Sequence, residues 1–108
     1  SYDEAWNKIL TRKPETEKNV PGAFVGWDNT PRKGERGEIF VGDTPEKFEK
    51  YLTQQIIRAK NIYSKDMIFM YAWNEWAEGG YLEPDTRSGY KNLEAIKNAL
   101  KSTNEFPW

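Results

Sequence analysis

The sequence contains neither cysteine nor histidine. Without cysteine there is no disulfide framework, no thiolate nucleophile and no cysteine-bound zinc, and the redox compartment is left open. Without histidine, a Ser-His-Asp triad, a facial-triad iron site and a histidine-bound zinc are excluded within this chain. Acid–base chemistry near neutral pH therefore falls to carboxylates, tyrosines or lysines, and the residues call for no metal or cofactor. Apolar residues are scarce, 37% against 31% charged, and no run is long enough to span a bilayer. The formal net charge of −1 argues against nucleic acid or an anionic membrane as the main partner. The first residues, Ser1-Tyr2-Asp3-Glu4, have neither a basic region nor an apolar core. No signal peptide is visible in them, and a cytoplasmic setting is the expectation. The missing initiator Met suggests an excised piece or a processed product.

What the chain does have is rings. Five Trp, six Tyr and five Phe in 108 residues must supply much of a single domain's core. Tyr2, Ala5, Trp6, Ile9 and Leu10 fall on one face of a helix, with Asp3 and Glu4 in its first turn and Pro14 as its stop. Ala23 to Trp27 reads as a short buried strand ending in the turn-forming Asp28-Asn29-Thr30-Pro31. The loop that follows, with Arg32, Lys33 and Arg36, reads as exposed, and Glu38 to Val41 as a short extended piece. Thr44-Pro45-Glu46 opens a second helix, expected to run to about Asn61 and to bury Phe48, Leu52, Ile56 and Ala59 beside Tyr51 and Gln55. Met67 to Trp73 reads as a second buried strand. A last helix is expected from about Gly89 to Lys101, burying Tyr90, Leu93, Ile96 or Lys97, and Leu100. The tail Asn104 to Trp108 is expected to pack back on the body through its rings.

Apolar strands alternating with amphipathic helices predict an α/β chain of parallel βα units. Two strands cannot cover three helices well. A full (β/α)8 barrel of the TIM type needs roughly 200 residues or more, so this piece would supply about a quarter of one.

The stretch from Tyr71 to Asp85 stands apart: four acids (Glu75, Glu78, Glu83, Asp85) are interleaved with Trp73, Trp76 and Tyr81 just past a strand. If the chain turns after Glu75, as Gly79-Gly80 favours, Glu75 and Glu78 converge at the strand's carboxyl end, where parallel α/β folds bind ligands. Two carboxyls flanking a glycosidic bond serve as acid and as nucleophile or base. Trp73 and Trp76 would stack on sugar faces and, by desolvation, raise the pKa of the acid, with Asn74 as hydrogen-bond donor and Tyr81 as a further substrate contact. Spacing alone leaves the plainer reading open, in which Glu75 and Glu78 are solvated loop acids and the indoles are core. Glu83 and Asp85 around Pro84 read as turn and cap residues before the last helix. Asp28 would face the same rim, though an Asx turn accounts for it equally simply. Arg32 and its basic neighbours would grip a phosphate or an acidic sugar, or else be merely solvated.

The blocks Trp27-Asp28-Asn29-Thr30-Pro31-Arg32, Thr44-Pro45-Glu46-Lys47-Phe48, Ala72-Trp73-Asn74-Glu75-Trp76-Ala77-Glu78-Gly79 and Tyr81-Leu82-Glu83-Pro84-Asp85 resemble the C-terminal part of WbsX-like proteins, which belong to the glycoside hydrolase family 99-like group. The resemblance runs from about Val20 to Leu100. It implies the last strands of a (β/α)8 barrel, with the N-terminal part of the same barrel as the partner of this piece and a carbohydrate as substrate. It also implies glycosyltransferase or glycoside hydrolase chemistry in synthesis of bacterial surface polysaccharide, lipopolysaccharide or capsule. In the hydrolase relatives a Glu-x-x-Glu pair retains configuration through an anhydro-sugar intermediate. Carried over by position, Glu78 is the acid/base and Glu75 deprotonates the sugar's 2-hydroxyl. The pair in those hydrolases encloses Trp-His, whereas here it encloses Trp76-Ala77. The piece alone is expected to show little activity, because a barrel pocket draws on several strand ends.

Overall fold

A computed structural model describes residues 1–28, 42–75 and 79–105. The loop from Asn29, the extended piece expected at Glu38 to Val41 and the tail residues Phe106 to Trp108 lie outside these described residues.

Helix α1 (Tyr2–Thr11) begins with a capping box: Ser1 Oγ accepts from Glu4 N at 3.1 Å, and the Ser1 nitrogen donates to Glu4 Oε2 at 3.3 Å. Its buried face is the expected one. Tyr2 and Trp6 are fully enclosed, with Ala5, Ile9 and Leu10 partly covered. The Trp6 indole lies between Phe24 (centroids 5.7 Å apart, 18° between planes) and Tyr51 (5.4 Å, 17°), so one side chain joins helix, strand and helix.

Strand β1 (Gly22–Phe24) and strand β2 (Phe69–Tyr71) pair in parallel, with Gly22 opposite Phe69, Ala23 opposite Met70 and Phe24 opposite Tyr71. Val25 N to Tyr71 O (3.1 Å) and Phe69 N to Pro21 O (3.0 Å) extend the ladder at its two ends. Between them runs helix α2 (Pro45–Asn61), started by Thr44, whose Oγ1 accepts from Lys47 N at 3.1 Å. It buries Phe48, Tyr51, Leu52, Gln55, Ile56 and Ala59, the expected face. Gln55 is enclosed without penalty because its Nε2 donates to Gly22 O at 2.7 Å and its Oε1 accepts from Arg58 Nη1 at 2.7 Å. The same Arg58 guanidinium donates to the carbonyls of Ile9 and Arg12, so the carbonyl end of α1 is satisfied by a cation from α2.

Two expectations need correction. Both strands are shorter than Ala23–Trp27 and Met67–Trp73, and β2 is not buried on both faces. Ile68 and Met70 pack against the core, but Phe69 is 68% exposed and Met67 51%. Alternation sends odd and even positions to opposite faces, and only one face is covered by described residues. The last helix, α3, spans Lys91–Ser102, not Gly89 to Lys101, and buries Ala95 and Ala99. Leu93, Ile96 and Leu100 flank that line half-covered, and Tyr90, at the N-cap, is 65% exposed. Small residues at the contact line let α3 approach closely, so the large apolar residues straddle the seam instead of filling it. After β2 the chain reverses direction between Glu75 and Gly80, as the Gly79-Gly80 pair led us to expect, and the reversal takes the form of a paired hairpin. Strand β3 (Asn74–Glu75) pairs antiparallel with strand β4 (Gly80–Tyr81), Asn74 opposite Tyr81 and Glu75 opposite Gly80. The Tyr71–Ala72 peptide bond is cis.

Candidate functional site at the strand carboxyl ends

The β3–β4 hairpin is seated on the carboxyl ends of β1 and β2, and two glycines make this possible. A Cβ on Gly79, whose φ is +63°, would stand 2.7 Å from Asp28 N; one on Gly80 would stand 2.2 Å from Tyr71 Cε1 and 3.1 Å from Gly26 O. No larger residue fits between the hairpin and the two strand ends. Leu82 N (3.0 Å) and Glu83 N (3.1 Å) both donate to Trp73 O and close the hairpin's base.

Beneath the hairpin lies a cleft of about 270 Å³, lined among others by Trp27, Asp28, Asp43, Tyr81, Asp85 and Arg87. Tyr81 donates to Asp85 Oδ2 at 2.6 Å, while Asp85 Oδ1 accepts from Ser88 N at 2.6 Å. Burial, and then the adjacent Asp85 carboxylate, pushes the Tyr81 phenol up to about 12. The same Tyr81 hydrogen bond, helped by the Ser88 amide and Arg87, holds the Asp85 carboxyl below the usual carboxylate range against its partial desolvation. Arg87 Nη2 reaches Asp43 O at 3.4 Å and lies 3.6 Å from Asp43 Oδ2, which links the turn before α3 to the turn before α2. The ring of Trp27, past the end of β1, and that of Tyr71, the last residue of β2, meet at 5.8 Å.

Of the residues singled out in the sequence, Asp28 and Tyr81 line this cleft, and Trp73, Asn74 and Glu75 stand exposed at the start of the hairpin. Trp73 is 53% exposed, so it is not core. Glu75 is one backbone pairing away from the strand that carries Tyr81. Glu78, Trp76 and Arg32 lie outside the described residues. Asp43 and Arg87, which sequence reasoning passed over, reach the cleft from turns that no periodic pattern marks. Asp85 was legible as a turn residue, and the structure adds its bond to Tyr81. Among the described residues no group of three or more His, Cys, Asp or Glu could hold a metal ion, and no helix is long and apolar enough to cross a membrane.

Acids, indoles and a polar cleft thus gather at the carboxyl ends of the two parallel strands. Residues 1–96 match the family described as glycosyltransferase WbsX, and the chain belongs to that family. The match includes α1, which precedes the motif-bearing blocks. Two curated relatives, from two strains of Xanthomonas campestris pv. campestris and both named uncharacterized protein WxcX, are 44% identical over 82 residues. That alignment covers 74% of this chain and 12% of each relative, so the chain spans only a small part of their length. No solved structure matches.

Proposed function

We propose that this chain is the C-terminal part of a (β/α)8 barrel in a larger carbohydrate-active enzyme that works on glycosidic bonds through Glu75 and Glu78, in synthesis or processing of bacterial surface polysaccharide. The observation that carries the reading is the placement of Glu75: it sits on a hairpin packed by two glycines onto the carboxyl ends of two parallel strands, beside a polar cleft. That end is where parallel α/β folds collect catalytic groups. Glu75 takes the proton from a sugar 2-hydroxyl, the freed oxygen attacks the anomeric carbon, and the bond to the leaving oxygen breaks as Glu78 protonates it. Glu78 then removes a proton from water or an acceptor hydroxyl, which opens the anhydro ring and returns the proton to the 2-oxygen by way of Glu75. Trp73 and Trp76 offer flat apolar faces to sugar rings, with the Tyr81 ring as a further contact, and Asp28, Asn74 and Arg32 are the polar contacts of this reading. The parallel pairing of β1 and β2 across α2, and the exposed Phe69 face of β2, support further βα units closing the sheet.

The test is Glu75→Gln and Glu78→Gln in the full-length protein that carries this chain. Each is expected to slow turnover of surface polysaccharide by about 10²–10⁴ while leaving the unfolding transition in place; full activity in both would sink the reading. A second reading, glycan binding without catalysis, is favoured by the exposure of Trp73. Saturable quenching of tryptophan fluorescence by the glycan, with no product formed by the intact protein, would select it.

A further inference from the structure

We propose that Asp85 is a positioning residue for the Glu75 carboxylate, acting through Tyr81 to lock the β3–β4 hairpin at the carboxyl ends of the parallel strands. The inference rests on the role proposed above for Glu75.

Asp85 is itself fixed at three atoms. Oδ1 accepts from Ser88 N at 2.6 Å, its carbonyl accepts from Gly89 N at 2.9 Å, and Oδ2 accepts from Tyr81 Oη at 2.6 Å. The turn that holds it is tied in turn to the start of α2 through Arg87 and Asp43. A phenol donating to a carboxylate makes a short, charge-assisted bond, stronger than a bond between neutral groups. With the phenol pushed up to about 12 and the carboxyl held low, that donor and acceptor persist across the neutral range.

Tyr81 lies opposite Asn74, and its neighbour Gly80 lies opposite Glu75. A two-residue ladder has little stiffness of its own, so the position of Glu75 depends on what grips β4. On one side the backbone is closely seated, Gly79 against Asp28 and Gly80 against Tyr71. On the other the grip is the Asp85–Tyr81 bond. Removing the Asp85–Tyr81 bond loosens the hairpin on its seat, and misplacement by about 1 Å can lower a rate by roughly a hundredfold.

The experiment uses the full-length protein with Tyr81→Phe, Asp85→Asn, the double variant, and Glu75→Gln as reference. Tyr81→Phe removes one oxygen atom and carries the test if Asp85→Asn fails to fold. Expected are a fall in kcat of about tenfold with KM within about twofold in each single variant, and no further loss in the double variant. Amide hydrogen exchange at Leu82 and Glu83 should quicken by about tenfold in Tyr81→Phe, a readout independent of activity. Unchanged exchange at those amides would overturn the clasp. Faster exchange with unchanged kcat, while Glu75→Gln is slowed, would overturn the positioning role and leave the proposed function standing. A raised KM with unchanged kcat would assign the Tyr81 hydroxyl to the substrate and not to positioning, which also overturns the inference. Full turnover by both Glu75→Gln and Glu78→Gln would overturn the proposed function, and this inference with it.

Discussion

The helix-packed flank and the rim at the strand carboxyl ends are held together by different forces. On the flank, α1 and α2 meet β1 through fully enclosed rings: Trp6 between Phe24 and Tyr51, Tyr2 with its hydroxyl on Phe24 O at 3.2 Å, and Phe48 beneath them. Gln55, a buried polar side chain there, is bonded at both ends of its amide. At the rim most of the chain is exposed or half-exposed, Gly80 and Leu82 being buried, and its shape comes from hydrogen bonds and from closely seated glycines. Burial sets stability, whereas bonds and close approaches set geometry. Substitutions on the flank should therefore lower stability with little effect on chemistry, and substitutions at the rim should do the reverse.

Trp6→Ala should show the largest loss of stability. Truncating a fully buried indole that two other rings stack upon costs about 3–5 kcal/mol, read as a lower urea midpoint with the slope unchanged. Gly80→Ala tests the rim from the steric side. Its methyl would collide with the Tyr71 ring, and such overpacking costs about 1–3 kcal/mol. Because the collision displaces the hairpin, turnover should fall far more than stability; a normal rate in Gly80→Ala would blur the distinction between the two regions. Thr44→Ala removes the N-cap of α2 and should cost about 1 kcal/mol, seen in thermal unfolding, with turnover per folded molecule unchanged.

The smallest effect concerns pH. Asp85 has a depressed folded-state pKa, so the unfolded chain binds more protons in acid, and the stability it contributes is present above the ordinary carboxylate range and lost as pH falls through its folded value. Tyr81 is raised from 10.0 to about 12, so its contribution is fully present below its unfolded value and lost as pH rises through about 12. Protection of the Leu82 and Glu83 amides, corrected for intrinsic exchange, should be flat between those limits. In Asp85→Asn the acid limb should vanish.

The flank was far more legible in the sequence than the rim. Tyr2, Trp6 and Ile9 repeat at helical spacing, and Thr44-Pro45-Glu46 is a helix start written in three adjacent residues, so both helices follow from local chemistry. The parallel order of β1 and β2 follows from the helix between them. The reversal after Glu75 was marked by Gly79-Gly80, but its pairing as a hairpin was not, because two residues on each side carry no period. The burial of Ala95 and Ala99 was hidden for another reason. Pattern reading ranks large residues first, whereas close helix packing selects small ones. Contacts from far along the chain were also out of reach: Arg58 serves α1 from 46 residues away, and Arg87 meets Asp43 across 44. The carboxylates of the candidate site could be named from their company, but the cleft and the Asp85–Tyr81 bond needed coordinates.

Turnover by folded Glu75→Gln, measured beside Thr44→Ala in the full-length protein, puts the division between the two regions to the most direct trial. The account predicts that Glu75→Gln unfolds with the wild type yet is slower by about 10²–10⁴, while Thr44→Ala unfolds earlier and turns over normally. Wild-type turnover by folded Glu75→Gln would contradict it.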